Sequence, residues 1–253
     1  MRFATRSLKK AVLATALVGA SMLSWAQPAA YNVGATATGI PFTFLDVKSN
    51  TIQGMMVDAI ELVGKTAGFE AKVQQTVFAS LIPSLTSNKI DIISAAMLKT
   101  EAREKVVDFS DPVYAYGEGV MVSEADSKIY NTLDDLKGEV VGAQVGTVFL
   151  DTLQKKGIYK EVRSYDSVAD MARDLSLGRI KAAVGDQPIM AYQIAQKTFK
   201  GVKMADGYKS ANMGNVCFVV RKGDKETLDR LNKAIAEVKA NGQLEAVIKK
   251  WGI

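Results

Sequence analysis

The chain has 253 residues, with 32 Lys and Arg against 27 Asp and Glu, no His, and one Cys, Cys217. The lack of His excludes Ser-His-Asp and Cys-His nucleophilic chemistry and His-ligated metal sites, and a single Cys cannot form an internal disulfide. Four of the basic residues, Arg2, Arg6, Lys9 and Lys10, lie at the very start, so the formal charge of +5 leaves the rest nearly neutral, with no basic patch suited to nucleic acid.

Those four cations precede an apolar run, AVLATALVGASML (11–23), and a small-x-small site at Ser24-Trp25-Ala26. The pattern predicts a secretory signal over residues 1–26, too short for a transmembrane helix. No Cys follows the run to accept a lipid and there is no twin-Arg pair. The expectation is an exported periplasmic protein that is not a lipoprotein.

Beyond Gln27 short apolar runs alternate with helical spacings. Tyr31–Ala35 reads as a strand. Met55–Ala67 has helical periodicity and a stop at Gly68. Phe69–Val77 reads as a strand, Ser80–Asn88 as a helix and Ile90–Ala95 as a strand, and Thr100 opens another helix. A second series begins with a short helix at Leu133–Lys137, stopped by Gly138. The strand Val140–Gln144, the helix Val148–Lys156 and the strand Glu161–Tyr165 follow. Ser167-Val168-Ala169-Asp170 has capping-box spacing for a helix over 168–177. Ile180–Val184 reads as a strand, and Asp186-Gln187-Pro188 starts a helix. The end reads as a strand at Val216–Arg221 and helices at 225–240 and 243–250. Cys217, within NVCFVVR, reads as a buried thiol acting as a small hydrophobe.

This alternation predicts an α/β fold with largely parallel sheets. Its two series predict two lobes, one of residues 27–120 plus 214–253 and one of residues 121–213. The chain would cross between them near Gly119–Ser123 and near Met213–Val216, forming a hinge around a cleft. Small ligands bind in such clefts, outside the carboxyl ends of parallel strands.

Three polar residues fall at strand-to-helix junctions: Arg103, Thr147 and Asp186. Thr147 and Asp186 are also good N-cap types, and Arg103 could be a solvated helix residue. However, an Arg in a first helical turn meets the positive end of the helix. A carboxylate held bidentately by the guanidinium, with helix-start N–H groups helping, would remove that conflict. Asp186 opposite Arg103 would then complete a site for a zwitterion.

The stretches PFTFLD (41–46), LIPSLTSNKIDII (81–93), TEAR (100–103), DFSDPVY (108–114), VVGAQVGT (140–147) and LGRIKAAVGDQP (177–188) stand in this order. With the closing LNKAIAEVKANGQLEAVIKKWGI (231–253), the chain from Tyr31 onward resembles the periplasmic amino-acid-binding proteins of ABC importers, bacterial extracellular solute-binding protein family 3. The resemblance implies a two-lobed type II periplasmic binding protein fold, an amino-acid-like ligand, a membrane permease as partner, a monomer, no cofactor and no catalysis. It implies that Arg103 grips the ligand α-carboxylate, Thr147 adds hydrogen bonds to it, and Asp186 takes the α-ammonium. Phe78 would lie against the ligand side chain and Gln144 at its far end.

The departures from the family pattern are also informative. Gly39 stands where many members place an aromatic ring, and Leu98 where many have Ser or Thr. Ala96 offers only its backbone carbonyl, and Met56 replaces a common Asp. The wall is therefore expected to be more apolar and less aromatic, with room beside Gly39 for a bulkier ligand or for a ring from Phe44 or Phe78. A competing expectation on the same fold is a dehydratase of the cyclohexadienyl type, with Glu118 or Asp46 as its general acid.

Overall fold

The computed structural model describes residues 29–211 and 213–253, and the export signal read at 1–26 lies outside the described residues. Along the first series run β1 (Ala29–Ala35), β2 (Thr38–Gly39), β3 (Thr43–Asp46), β4 (Thr51–Gln53), α1 (Met55–Ala67) and β5 (Phe69–Gln75). They are followed by α2 (Leu81–Thr86), β6 (Ile92–Ile93), α3 (Glu101–Glu104), β7 (Val107–Phe109) and β8 (Tyr114–Tyr116). The second series is β9 (Glu118–Ser123), β10 (Val140–Gln144), α4 (Val148–Lys156), β11 (Glu161–Tyr165), α5 (Val168–Ser176), β12 (Ala182–Asp186), α6 (Gln187–Ala195) and β13 (Val202–Met204). The chain closes with β14 (Gly214–Val216), β15 (Val219–Arg221), α7 (Lys225–Ala240) and α8 (Gln243–Lys250).

Two five-stranded sheets result, ordered β5-β1-β6-β15-β7 and β11-β10-β12-β9-β13. Each has three parallel strands at one end and antiparallel pairing at the other. The parallel strands β6, β10 and β12 carry the apolar runs expected of strands covered on both faces, whereas β1 is buried only over Val33–Ala35. Helix α1 buries Met55, Met56, Ala59, Ile60 and Val63 and packs against α7 and α8. Each such fully buried large side chain contributes about 1.5–3 kcal/mol. Gly68 ends α1 in the left-handed conformation at φ 76°, its N–H donating to the Gly64 carbonyl. Asp58 ties the C-terminus back, accepting from Lys250 Nζ at 2.7 Å and Trp251 Nε1 at 2.8 Å.

Several expected elements are shorter than the stretches read for them, among them the strand Phe69–Val77, which ends at Gln75, and the helix Ser80–Asn88, which covers Leu81–Thr86. The strand read at Ile90–Ala95 pairs only over Ile92–Ile93; the Ser94 N–H still donates to the Gly34 carbonyl at 2.9 Å, and the chain then bends, with Ala96 held at φ 52°. The run Val216–Arg221 splits between β14 and β15, which belong to different sheets; Cys217 and Phe218 sit fully buried at the switch. The helix opened by Thr100 lasts four residues before the chain turns into β7. Cys217 is the buried thiol expected, and burial pushes its pKa up to about 11.

The sheets are joined through β8 and β14, an antiparallel pair with Tyr116 opposite Gly214 and Tyr114 opposite Val216. Strand β9 belongs wholly to the second sheet, so the first change of sheet falls at Gly117, between β8 and β9, just before Gly119. The cleft runs between the carboxyl ends of β1 and β6 on one side and of β10 and β12 on the other.

Candidate functional site

Arg103 is set by the cap of α3. Thr100 Oγ1 accepts from Arg103 N at 3.3 Å, which fixes the backbone. The guanidinium then donates to the Leu98 carbonyl at 2.6 Å and, across the cleft, to the Gly146 carbonyl at 2.9 Å. It also lies 5.9 Å from the centre of the Phe78 ring. Burial lowers its pKa, with Tyr116 and Asp186 opposing the shift, but an arginine keeps its charge. Of the five N–H donors of a guanidinium, these two bonds leave others to face a carboxylate. Arg103 is thus no solvated helix residue.

Asp186 occupies the N-cap position of α6, but its side chain caps nothing. Its carboxylate instead accepts from the Tyr116 hydroxyl, which also donates to the Ala96 carbonyl at 3.0 Å. Burial raises the pKa of Asp186, and the Tyr116 hydrogen bond and the Arg103 charge pull part of that rise back. Thr147 behaves differently. Its Oγ1 accepts from Leu150 N at 3.3 Å and donates to the Gln144 carbonyl at 2.7 Å, so here the capping role is realised.

Phe78, Ala96, Gln144 and Asp186 line one space between the sheets, together with Thr36, Thr38, Gly39, Phe42, Thr43, Ala95, Val168 and Ile189. Gln144 is anchored there by its Nε2, which donates to the Asp166 carbonyl at 2.8 Å. Leu98 lines a separate hollow of about 340 Å³ beside the hinge, with Tyr116, Phe149 and Met213. The space lined by Asp186 holds only about 20 Å³, room for about one water molecule. The lobes are closed on each other. Gly146, at φ 77°, comes so near that a Cβ there would lie 3.0 Å from Ala79 Cα. Size therefore does not mark the site; Arg103 does not line this space itself, but it reaches across the cleft to Gly146, lies over Phe78 and is near enough for its charge to act on Asp186.

The unusual wall positions are explained by these contacts. The room left by Gly39 is filled from the other lobe, since Ile189 Cδ1 lies 3.4 Å from where a Gly39 Cβ would be. Phe44 supplies no ring to the cleft; it packs edge-on against Trp251 with centroids 5.7 Å apart. Met56 is fully buried in the core. The Thr36 and Thr43 hydroxyls bond each other at 2.7 Å. Tyr116, Ile189, Thr36, Val168 and Gly146 were not foreseen. The stretch DFSDPVY stops just short of Tyr116, Gly146 stands inside VVGAQVGT beside Thr147, and Ile189, Thr36 and Val168 carry no local signal for the cleft.

The two carboxylates considered for acid catalysis are engaged elsewhere. Glu118 accepts from Ser210 Oγ at 2.7 Å, Tyr208 Oη at 2.9 Å and Ala211 N at 3.2 Å. Burial alone would raise its pKa, but these bonds outweigh it and hold the group below its ordinary value. Asp46 lies in the β3–β4 turn, and hydrogen bonds from Lys48 N and Ser49 Oγ lower its pKa. Neither keeps the proton that a general acid must deliver at neutral pH. Among the described residues no group of three His, Cys, Asp or Glu could hold a metal ion.

Two sheets joined by a two-strand hinge, with a cation and an acid meeting in the closed cleft, define a two-lobed periplasmic binding protein. The sequence profile of the bacterial extracellular solute-binding proteins, family 3, matches residues 31–253, and the chain belongs to that family. It is 31% identical over 250 residues to the L-cystine-binding protein TcyJ of Escherichia coli (strain K12), covering 95% of this chain and 92% of that one. A solved ancestral arginine-binding protein bound to arginine superposes with a TM-score of 0.81 at 32% identity, over 89% of this chain and 99% of that chain. An ancestral amino acid-binding protein described as a precursor of cyclohexadienyl dehydratase superposes with a TM-score of 0.78 at 28% identity, over 88% of this chain and 95% of that chain. The family is one of solute-binding proteins, not enzymes.

Proposed function

We propose that this chain captures a zwitterionic amino acid with an uncharged side chain in its interlobe cleft and delivers it to the permease of an ABC importer. The observation that carries this reading is the pairing of Arg103 with Asp186. A guanidinium with donors to spare and a buried carboxylate stand close enough for Arg103 to moderate the Asp186 pKa. Arg103 takes the α-carboxylate and Asp186, with the Ala96 carbonyl, takes the α-ammonium. Thr147 supports the carboxylate end by fixing the start of α4, and Leu98 supports it through its carbonyl.

The walls favour a neutral side chain. Phe78, Val168, Ile189 and Gln144 flank the cleft, and Asp186 is the one carboxylate among its lining residues. A cationic side chain would be buried without a partner, which costs several kcal/mol. A neutral amino acid therefore fits better than arginine or than cystine, whose far half carries a second ammonium and carboxylate, although relatives are named for both of these.

The lobes are read as residues 27–117 plus 214–253 and residues 118–213, the first boundary drawn at the β8–β9 junction rather than near 120 because β9 pairs in the second sheet. The protein works as a periplasmic monomer, exported by residues 1–26 without a lipid anchor. Because the closed cleft is so small, the ligand enters an open form and closure follows. The test is native mass spectrometry of the protein purified from the periplasm. A neutral amino acid should be released on unfolding. A co-purified arginine would overturn the neutral-ligand reading, and a ligand without an amino group would overturn the zwitterion reading.

A further inference from the structure

Tyr116 ends β8, the strand that leaves the first lobe, and takes part in neither five-stranded sheet. Its ring is buried against Phe42 at 5.6 Å and Tyr114 at 6.5 Å between centroids. Its hydroxyl meets the Ala96 carbonyl of one lobe and the Asp186 carboxylate of the other. A phenol has one proton to give and lone pairs to accept with. Tyr116 cannot serve both acceptors fully, and its oxygen retains accepting capacity of its own.

Three acceptors thus converge at the hinge: the Ala96 carbonyl, Tyr116 Oη and the Asp186 carboxylate. Among the described residues no Lys or Arg side chain is hydrogen-bonded to any of them. A primary ammonium has three N–H donors and no acceptor, which matches this trio. Ala96 is held at φ 52°, a region that non-glycine residues rarely occupy, and strain of this kind gathers where function over-determines the backbone.

We propose that Tyr116 reads the ligand directly: its oxygen accepts from the α-ammonium alongside Ala96 and Asp186 while its own proton stays directed at Asp186. This rests on the amino-acid reading of the cleft and adds a specificity residue to it. Because Tyr116 belongs to the hinge strand and bridges both lobes, the same bond couples recognition of the ammonium to closure.

The test is calorimetry on Tyr116→Phe, which keeps the ring packing. The probes are the amino acid that binds the wild type tightest and its des-amino carboxylic acid. The amino acid should lose about tenfold or more in affinity, as expected for a lost hydrogen bond to a charged group, while the des-amino acid changes less than about twofold. Equal losses for both probes would make Tyr116 a packing residue and overturn the inference, as would unchanged affinity for the amino acid. If the wild type binds no amino acid, the reading of the cleft fails first; if it binds and the variant matches it, the inference fails alone. Should the variant not fold, the wild type is titrated with the N-methyl amino acid. Loss of one N–H should weaken binding by about tenfold, and equal affinity would overturn the inference.

Discussion

Replacing Arg103 by Ala removes the group on which the zwitterion reading depends. In the closed form the guanidinium already spends one bond on the Leu98 carbonyl and one, across the cleft, on the Gly146 carbonyl. Two charge-assisted bonds from the remaining donors to a ligand carboxylate are worth about 1.5–3 kcal/mol each. The sum is about 3–6 kcal/mol, a loss of roughly 150- to 25,000-fold in affinity. Calorimetric titration of Arg103→Ala with the amino acid bound by the wild type measures it. Arg103→Lys should fall between the two, because an ammonium keeps the charge but not the bidentate fork. Affinity of Arg103→Ala within about threefold of wild type would refute the assignment.

Other substitutions probe the acid, the turn and the catalytic alternative. The pKa of Asp186 is raised by burial, so its contribution to ligand-free stability is present below the ordinary Asp value and is lost as pH rises through the raised one. Asp186→Asn should therefore melt higher than wild type at neutral pH without ligand, yet gain no stability from added amino acid; a lower melting temperature would contradict this. Gly146→Ala should weaken ligand binding, because φ 77° and the 3.0 Å approach to Ala79 both penalise a Cβ; the strain alone costs about 1–2 kcal/mol. Small-angle scattering with saturating ligand should show less closure in that variant. Purified wild type should not turn over prephenate or arogenate, and Glu118→Gln should only lower the melting temperature by loosening the 208–211 segment. Turnover abolished by Glu118→Gln would contradict the binding-protein reading.

Local rules located most elements. Helices α1, α4, α7 and α8 begin and end where periodicity and glycine or cap residues place them, and β10 and β11 cover the strands read at 140–144 and 161–165. Where the reading overshot, tertiary demands intervened: the run at Ile90–Ala95 keeps only Ile92–Ile93 in the ladder before the chain bends to place Ala96 at φ 52°, and Val216–Arg221 is shared by two sheets. The cap rule described Thr147 correctly but misdescribed Asp186, whose carboxylate turns away from its helix to Tyr116. Residues whose role depends on the facing lobe stayed invisible in sequence. Ile189 fills the space beside Gly39 from 150 positions away, and Tyr116 finds Asp186 across the hinge.

The most direct test of the central claim is calorimetric titration of the chain from Gln27 onward, stripped of ligand by unfolding and refolding, with the standard amino acids and cystine. Saturable one-to-one binding of at least one neutral amino acid, with arginine weaker by tenfold or more, is the predicted result. No binding by any amino acid, or arginine binding tightest, would contradict it.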